Sequence, residues 1–280
     1  MVGWIRTLDL KRNVASECQA LAISPRSYLR SHPFGVYTVA AIADRRVEDW
    51  AFHWQRLVQG ASELVSFEIE CRSIVQEFKI IHGSVTILVT EWKVHFLAHS
   101  SAARFKTLLS SSSIAVWLTT EVQRENPQIK FSKWILDRSP FENTAYQECL
   151  IGRQCEDGDV ELLEGFVTNL FLVYRGGTLR TAASQLVLSG VMRQRVIDIC
   201  QEHHLELCFK PILWSERSQW LEGFVTNAIR KLQPIASVVY QHETYTFPKL
   251  NAKSMSSLIS DHVMKSLSKG DGELDDSTTN

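Results

Sequence analysis

The sequence predicts an α+β fold with antiparallel strand pairing in two halves, and three observations support this. Apolar segments with the lengths and boundaries of strands occur in both halves of the 280 residues. Helical periodicity interrupts them, but without the strict alternation of strand and helix that a parallel sheet requires. Hydrophobic residues make up 45% of the chain and charged residues 22%, so it can bury one large core or two modest ones.

The first half of the chain reads as a smaller domain, which we place at residues 1–125. Apolar segments bounded by turn residues predict strands at 35–42, 84–91, 93–98 and 114–120. Between the first two, apolar residues recur three and four positions apart over residues 50–58, which is typical of a helix, and Asp49 stands at its start.

The second half predicts a larger domain at residues 144–268, reached through a connecting segment at 126–143 that contains Pro127 and Pro140. Strands are expected at 148–152, 160–163, 170–174, 206–212 and 234–240, a helix over 191–204, and a short helix over 216–220 capped by Ser215. The acidic, polar residues 269–280 predict a disordered tail.

Charge and hydropathy exclude several classes of function. The net charge is −1 and the basic residues are scattered, which argues against a nucleic-acid partner. No apolar run is long enough to span a membrane, so we expect a cytoplasmic protein, or an organellar one if the N-terminus is a transit segment. The six cysteines form no CxxC pair, which predicts free thiols, and no metal site is expected.

The heptapeptide LEGFVTN occurs twice, at residues 163–169 and 221–227. Each copy follows an apolar stretch and places a glutamate beside a glycine, followed by threonine and asparagine. Such short polar side chains can bind backbone or a ligand at close range. We therefore expect both copies to face one concave site, although for Glu222 we prefer an exposed strand end.

Two further motifs suit an anion. His53 and Arg56 lie three residues apart on one helical face, so the imidazole could support a guanidinium that binds phosphate. Gly190 precedes the helix at 191–204, whose first backbone N–H groups could do the same. A solvated arginine and a turn glycine are the alternatives.

Taken in order, these motifs resemble the class IV aminotransferases, the fold-type IV group of pyridoxal-phosphate enzymes. The similarity spans about residues 33–240 and is carried by residues 35–39, 53–57, 129–130, 164–171 and 189–194. It looks nearest to the D-amino-acid-aminotransferase-like branch, beside the 4-amino-4-deoxychorismate lyases. The resemblance implies two α/β domains, pyridoxal 5′-phosphate in the cleft between them, and a homodimer.

The resemblance also implies roles for individual residues. Lys130 matches the lysine that attaches to the cofactor, with Lys133 as a rival, and Glu164 matches the carboxylate that pairs with the pyridine nitrogen. Tyr37 matches a substrate contact. The remaining positions that match cofactor contacts are Arg56, Asn169, the backbone amides of Val191 and Met192, Asn227 and Ala228.

The activity that the resemblance implies is transfer of an amino group between an amino acid and a 2-oxo acid. Lyase chemistry on 4-amino-4-deoxychorismate is the alternative within the family. Asn227 and Ala228 stand where the family often has small hydroxyl residues, which removes a phosphate hydrogen bond. A catalytically silent, cofactor-binding or scaffold protein is therefore the alternative from another class.

Overall fold

Two β-sheets organise the chain in the computed structural model, which describes residues 3–101, 113–143, 145–249 and 254–268. The predicted tail at 269–280 lies outside the described residues. Within these ranges, no helix has the length and apolar character to cross a membrane. All six cysteines are free thiols, as their spacing predicts.

The first sheet has seven strands, all paired antiparallel. They are β1 (Gly3–Asp9), β2 (Val14–Ala15), β3 (Gln19–Ala20), β4 (Val36–Ala43), β5 (Arg46–Val47), β6 (Gly83–Thr90) and β7 (Lys93–Ser100). Their order is β2-β1-β7-β6-β4-β5, with β3 beside β1. The helices of this half are α1 (Pro25–Arg30), α2 (Trp50–Gly60) and α3 (Glu68–Glu77), with a 3₁₀ turn at Ser62–Phe67.

Helix α2 packs against β4 because its apolar residues recur on one face. Trp50, Trp54 and Leu57 are buried there with the inward residues of β4. The rings of the two tryptophans stack 5.9 Å apart. This packing fixes α2 over the sheet, which matters because α2 also carries His53 and Arg56.

The second sheet has ten strands. They are β8 (Ile114–Thr119), β9 (Glu148–Gln154), β10 (Val160–Gly165), β11 (Asn169–Tyr174), β12 (Leu179–Arg180), β13 (Leu207–Cys208), β14 (Ile212–Leu213), β15 (Trp220–Asn227), β16 (Lys231–Tyr240) and β17 (Glu243–Thr246). Helices α4 (Trp134–Asp137), α5 (Val191–Glu202) and α6 (Met255–Ser268) accompany it, with 3₁₀ turns at Ser139–Phe141, Ser184–Leu186 and Trp214–Gln219.

Six of these strands close into a ring, in the order β11-β15-β16-β8-β9-β10. The ring closes where β10 pairs with β11, through the single pair Glu164 and Asn169. Both residues belong to the first LEGFVTN copy. The closure therefore places that copy where the backbone must bend from one strand into the next.

Strand β8 corrects the predicted division of the chain. Residues 114–120 were expected in the smaller domain at 1–125, but β8 is hydrogen-bonded into the second sheet between β9 and β16. Both pairings are parallel, as is that of β12 with β13, so the expectation of antiparallel pairing in each half was wrong at these strands. Strand signals report apolar pattern and not pairing partner, which is why the sequence could not assign β8.

Two local predictions also differ from the structure, and some elements were not predicted. The strand expected at 206–212 is two short strands, β13 and β14, because Pro211 has no N–H to continue the ladder. Ser215 lies inside the 3₁₀ turn Trp214–Gln219 and not at its start, since its backbone N–H donates to Asp159 Oδ1 at 3.2 Å. Strand β1 and helices α3 and α6 were not predicted.

The start of α2 is held by ion pairs and not by a side-chain cap. Asp49 has a left-handed backbone, with φ of 54°, and makes no capping hydrogen bond to the helix. Its carboxylate instead pairs with Arg195 of α5. The preceding residue, Glu48, pairs with Lys231. Two ion pairs therefore join the α2 end of the first sheet to elements of the second.

The two LEGFVTN copies adopt different structures although their sequences are identical. The first spans the bend between β10 and β11, whereas the second runs straight along β15. The copies lie side by side, with Asn169 paired to Thr226.

Glu222 is also not simply an exposed strand end. Its carboxylate accepts hydrogen bonds from the backbone N–H groups of Met255 and Ser256, both at 2.9 Å, and from the Ser256 hydroxyl at 2.7 Å. These groups form the start of α6, where a negative charge stabilises unpaired N–H groups and the helix dipole.

Replacing Glu222 with alanine should therefore lower the free energy of unfolding by about 1–3 kcal/mol, because the first turn of α6 loses a charged acceptor. Urea denaturation measures this. Glu243→Ala is the matched control, since the ion pair of Glu243 with Arg217 is exposed to solvent. Equal losses in the two variants would contradict the role assigned to Glu222.

Candidate active site

A cavity of about 190 Å³ lies where α2 and β4 meet the ring of the second sheet. Most of the residues singled out from the sequence line it. The wall consists of Val39, Arg56, Arg124, Lys130, Glu164, Val167, Thr168, Asn169, Leu188, Gly190, Val191, Thr226, Asn227, Ala228 and Ile229. Both LEGFVTN copies contribute, which confirms that they face one concave site.

Lys130 is held in the wall by backbone contacts with the start of β4. Its carbonyl accepts a hydrogen bond from the N–H of Tyr37 at 2.9 Å. Two residues on, Ser132 donates its N–H to the Gly35 carbonyl at 2.8 Å, and its hydroxyl accepts from the Gly35 N–H at 3.0 Å. The connecting segment is thus attached to the start of β4 at the lysine and two residues after it.

The surroundings of Lys130 favour its neutral amine. Burial lowers the pKa of Lys130 well below its ordinary value, and the charges of Arg56, Arg124 and Arg138 lower it further. Glu164 acts in the opposite direction but more weakly. An amine that is unprotonated near neutral pH can act as a nucleophile and as a base.

Lys133 has none of these properties. Its side chain is 42% exposed, and its ammonium pairs with Glu125 and Asp137, each at 3.0 Å. These partners raise its pKa and so stabilise the protonated form. It does not line the cavity that contains Lys130.

Glu164 is buried, and polar groups lie close to both oxygens of its carboxylate. Oε1 lies 2.7 Å from Nε of Arg124. Oε2 accepts hydrogen bonds from the backbone N–H of Leu188 at 3.1 Å and from the Asn169 amide at 3.2 Å. Burial raises the pKa of Glu164, whereas Arg124 is the strongest influence that lowers it.

The bend that carries Glu164 is anchored through one carbonyl. The carbonyl of Phe166 accepts hydrogen bonds from Trp134 Nε1 at 2.9 Å, Arg138 Nη1 at 2.9 Å and Arg124 Nη2 at 3.2 Å. The Arg124 guanidinium also lies over the Trp134 ring, 4.4 Å from its centre. All three donors belong to the part of the chain that carries Lys130, so these bonds set the lysine and the glutamate relative to each other.

Arg56 is a buried cation without a carboxylate partner among the described residues. Its Nη1 donates to the Ser189 carbonyl at 3.3 Å and its Nη2 to the Thr38 hydroxyl at 2.5 Å. Nε has no partner in the described part of the chain. Burial, with a smaller effect of the charge on Arg124, lowers the pKa of Arg56 to about 10, so the group stays charged at neutral pH. It is therefore suited to an anionic ligand.

The start of α5 lies beside Arg56. Val191 lines the cavity, and the amides of Val191 and Met192 have no partner within the helix. The side chain of Met192 points away and is buried in the core. A Cβ on Gly190 would lie 2.0 Å from Oδ1 of Asn169, so the close approach of the helix start to Asn169 requires glycine.

The loop after β15 closes the cavity in a way that the sequence did not indicate. Asn227 uses its side-chain oxygen to accept from the backbone N–H groups of Ile229 at 3.0 Å and Arg230 at 2.7 Å. It thus stabilises the loop around Ala228. The hydroxyl of Thr226 is buried without a partner among the described residues. The free Thr226 hydroxyl therefore lies just before Asn227 and Ala228, the two positions where we expected a hydroxyl to be missing.

Tyr37 lies next to the site, but the cavity is not lined by it. Its ring centre is 5.0 Å from Nζ of Lys130, and it packs with Leu88 and Ile135. Val39, on the same face of β4, is the residue that reaches the cavity. Thr226 is the threonine of the second LEGFVTN copy, which the motif already marked. Val39 and Arg124 carry no such signal, because a single residue within an apolar strand or between elements shows no periodicity.

The residues present fit pyridoxal 5′-phosphate. Arg56 and the start of α5 offer charge and N–H donors for a phosphate. Oε1 of Glu164 contacts Arg124 without an aligned hydrogen bond, so this oxygen remains an acceptor for a protonated ring nitrogen. Lys130 supplies an amine whose pKa is lowered by burial, which favours its neutral form. The unpaired Thr226 hydroxyl adds a further polar contact.

A known protein family matches most of this chain. The family model "Amino-transferase class IV" matches residues 35–238. No match was found among curated proteins.

Solved structures share the fold at low sequence identity. A hypothetical aminotransferase from Mycobacterium tuberculosis in its PLP-bound form is 10% identical with a TM-score of 0.70, covering 93% of this chain and 99% of that one. A fold IV-transaminase from Curtobacterium pusillum is 15% identical with a TM-score of 0.70, covering 94% and 98%. The 4-amino-4-deoxychorismate lyase from Pseudomonas aeruginosa is 16% identical with a TM-score of 0.68, covering 95% and 99%.

Replacing Arg124 with methionine should lower the free energy of unfolding at neutral pH by about 3–5 kcal/mol, because Glu164 is left as a buried charge without its cation. Without Arg124 the pKa of Glu164 rises further above that of the unfolded chain. The folded variant then binds the proton more tightly, so its stability falls as pH rises through that pKa.

The loss relative to the unsubstituted protein should therefore shrink when urea unfolding is repeated from about pH 8 down to about pH 5. Lys133→Met, which breaks only exposed ion pairs, should cost about 1 kcal/mol or less. A loss for Arg124→Met that is the same at every pH would show that Glu164 is not the group responsible.

Proposed function

Because the chain belongs to the class IV aminotransferase family, we propose that it is a pyridoxal-phosphate-dependent aminotransferase. It would transfer an amino group between an amino acid and a 2-oxo acid. The observation that carries the proposal is the single cavity lined by Lys130, Glu164 and Arg56. We place the protein in the D-amino-acid-aminotransferase-like branch and expect it to act as a homodimer.

Arg56 and the first N–H groups of α5 would bind the phosphate and so fix the position of the cofactor. Bound pyridoxal phosphate supplies an electron sink for the bonds at the substrate α-carbon. Glu164 would keep the proton on the pyridine nitrogen, and Arg124 would stabilise the ionised form of its carboxylate. Thr226 would donate its free hydroxyl to the phosphate.

Lys130 would move the proton in this reaction. In its neutral form, Nζ can accept the proton from the substrate α-carbon and return it at a later step of the amino-group transfer. Burial, followed by the charges of the neighbouring arginines, lowers the pKa of this amine, which favours the neutral form that acts as a base. The wall formed by Val39 and Leu188 helps exclude water from this step.

Lyase chemistry on 4-amino-4-deoxychorismate is the second candidate, since the lyase from Pseudomonas aeruginosa shares the fold over 95% of this chain. The two reactions differ in what they need and release. An aminotransferase requires a 2-oxo acid acceptor, whereas the lyase releases pyruvate without one. Release of pyruvate in the absence of any acceptor would therefore favour the lyase.

A catalytically silent, cofactor-binding or scaffold protein is the alternative that the structure supports least. That alternative rested on Asn227 and Ala228 in place of hydroxyl residues. The free hydroxyl of Thr226 lies one position earlier and lines the same cavity. A purified protein that shows no cofactor absorbance after incubation with pyridoxal phosphate would restore the silent alternative.

Lys130→Ala should abolish covalent attachment of pyridoxal phosphate, because the variant has no amine in the cavity. Borohydride reduction of the loaded protein followed by peptide mapping should place the modification on the peptide that contains Lys130. Lys133→Ala is the matched control and should retain the modification. Loss of attachment in Lys133→Ala, with attachment retained in Lys130→Ala, would overturn the assignment.

A further inference from the structure

Behind the guanidinium of Arg56 lies a buried polar chain that the reaction itself does not use. Nη2 of Arg56 is 2.5 Å from the hydroxyl oxygen of Thr38, and that oxygen is 2.6 Å from Nδ1 of His53. Both Thr38 and His53 are buried. The direct contact between Nη2 of Arg56 and Nδ1 of His53 is longer, at 3.4 Å. Thr38 is thus the group that joins the arginine to the histidine.

The direction of each hydrogen bond in this chain follows from donor counting. A guanidinium only donates, so the Thr38 oxygen accepts from Arg56. The threonine has one hydrogen of its own, and Nδ1 of His53 is the acceptor within reach. Burial, followed by the charges of Arg56, Lys130 and Lys231, lowers the pKa of His53 well below its ordinary value. His53 is therefore neutral, with its hydrogen on Nε2 and a lone pair on Nδ1.

Strand β4 and helix α2 hold the three residues of this polar chain in place. Thr38 lies in β4 and is paired in register with Ile87 of β6. His53 and Arg56 lie one helical turn apart on α2, which packs against β4. The Phe52 ring lies 5.9 Å from the Arg56 guanidinium carbon. Thr38 thus holds the guanidinium through Nη2, while Nη1 donates to the Ser189 carbonyl at the longer distance of 3.3 Å.

We infer that Thr38, oriented by His53, positions the Arg56 guanidinium so that its remaining N–H groups face an incoming phosphate. This inference rests on the proposed function and adds two positioning residues to it. Without the hydroxyl, the long and flexible arginine side chain would have to be ordered by the ligand at the moment of binding, which weakens affinity. The effect should be confined to ligands that carry the phosphate.

The test compares Thr38→Val, which keeps the shape but removes the hydroxyl, with Thr38→Ser, which keeps the hydroxyl. Apo protein is titrated with pyridoxal 5′-phosphate and, separately, with pyridoxal, which lacks the phosphate. We expect Thr38→Val to weaken binding of the phosphorylated ligand by about tenfold and binding of pyridoxal by no more than about twofold. Thr38→Ser should stay within about twofold for both ligands.

The same titration in an Arg56→Met background isolates the arginine. There, adding Thr38→Val should cause no further loss, since the group it positions is gone. Pyridoxal binding in each variant reports that the cavity is still folded. Equal weakening of both ligands by Thr38→Val, or a tenfold loss that persists without Arg56, would overturn the positioning role.

These measurements keep the inference separate from the proposed function. If the unsubstituted protein binds neither ligand, the proposed cofactor is wrong. If it prefers the phosphorylated ligand through Arg56 while Thr38→Val changes nothing, the cofactor stands and the inference on Thr38 fails.

Discussion

The site depends on keeping one buried carboxylate charged. Burial raises the pKa of Glu164, and a neutral acid could not hold a proton on a partner nitrogen. Arg124 opposes this from 2.7 Å, and two further hydrogen bonds reach the other oxygen. A buried pair of this kind adds little net stability, because desolvation offsets the attraction. Its value is chemical, since it favours the ionised form of an acceptor that lines the cavity.

Arg124 also holds distant parts of the chain together. It contacts Glu164 through Nε and the carbonyl of Phe166 through Nη2, so it ties the bend of the first LEGFVTN copy to the segment that carries Lys130. On its other side that segment is bonded to β4 at Tyr37. The amine therefore lies between the two sheets, where burial and then nearby charges lower its pKa. Unlike the glutamate, it needs no partner, because its neutral form is the useful one.

The order of most elements was visible in the sequence, since alternation and helical periodicity directly report which faces are buried. Pairing partners were not, and β8 was consequently placed with the wrong sheet. Glu164 and Glu222 show the limit most plainly. Identical heptapeptides surround them, yet one carboxylate lines a cavity and the other stabilises the start of α6, because the neighbouring strands and helix decide what each meets. Arg124 stands alone just before the predicted connecting segment at 126–143, where no pattern marks it.

A crystal structure of the protein reconstituted with pyridoxal 5′-phosphate tests the central claim most directly. The account predicts electron density joined to Nζ of Lys130, with the pyridine nitrogen on the side of Glu164 and the phosphate on the side of Arg56. A cofactor attached to another lysine, or a ring nitrogen that does not meet the Glu164 carboxylate, would contradict it.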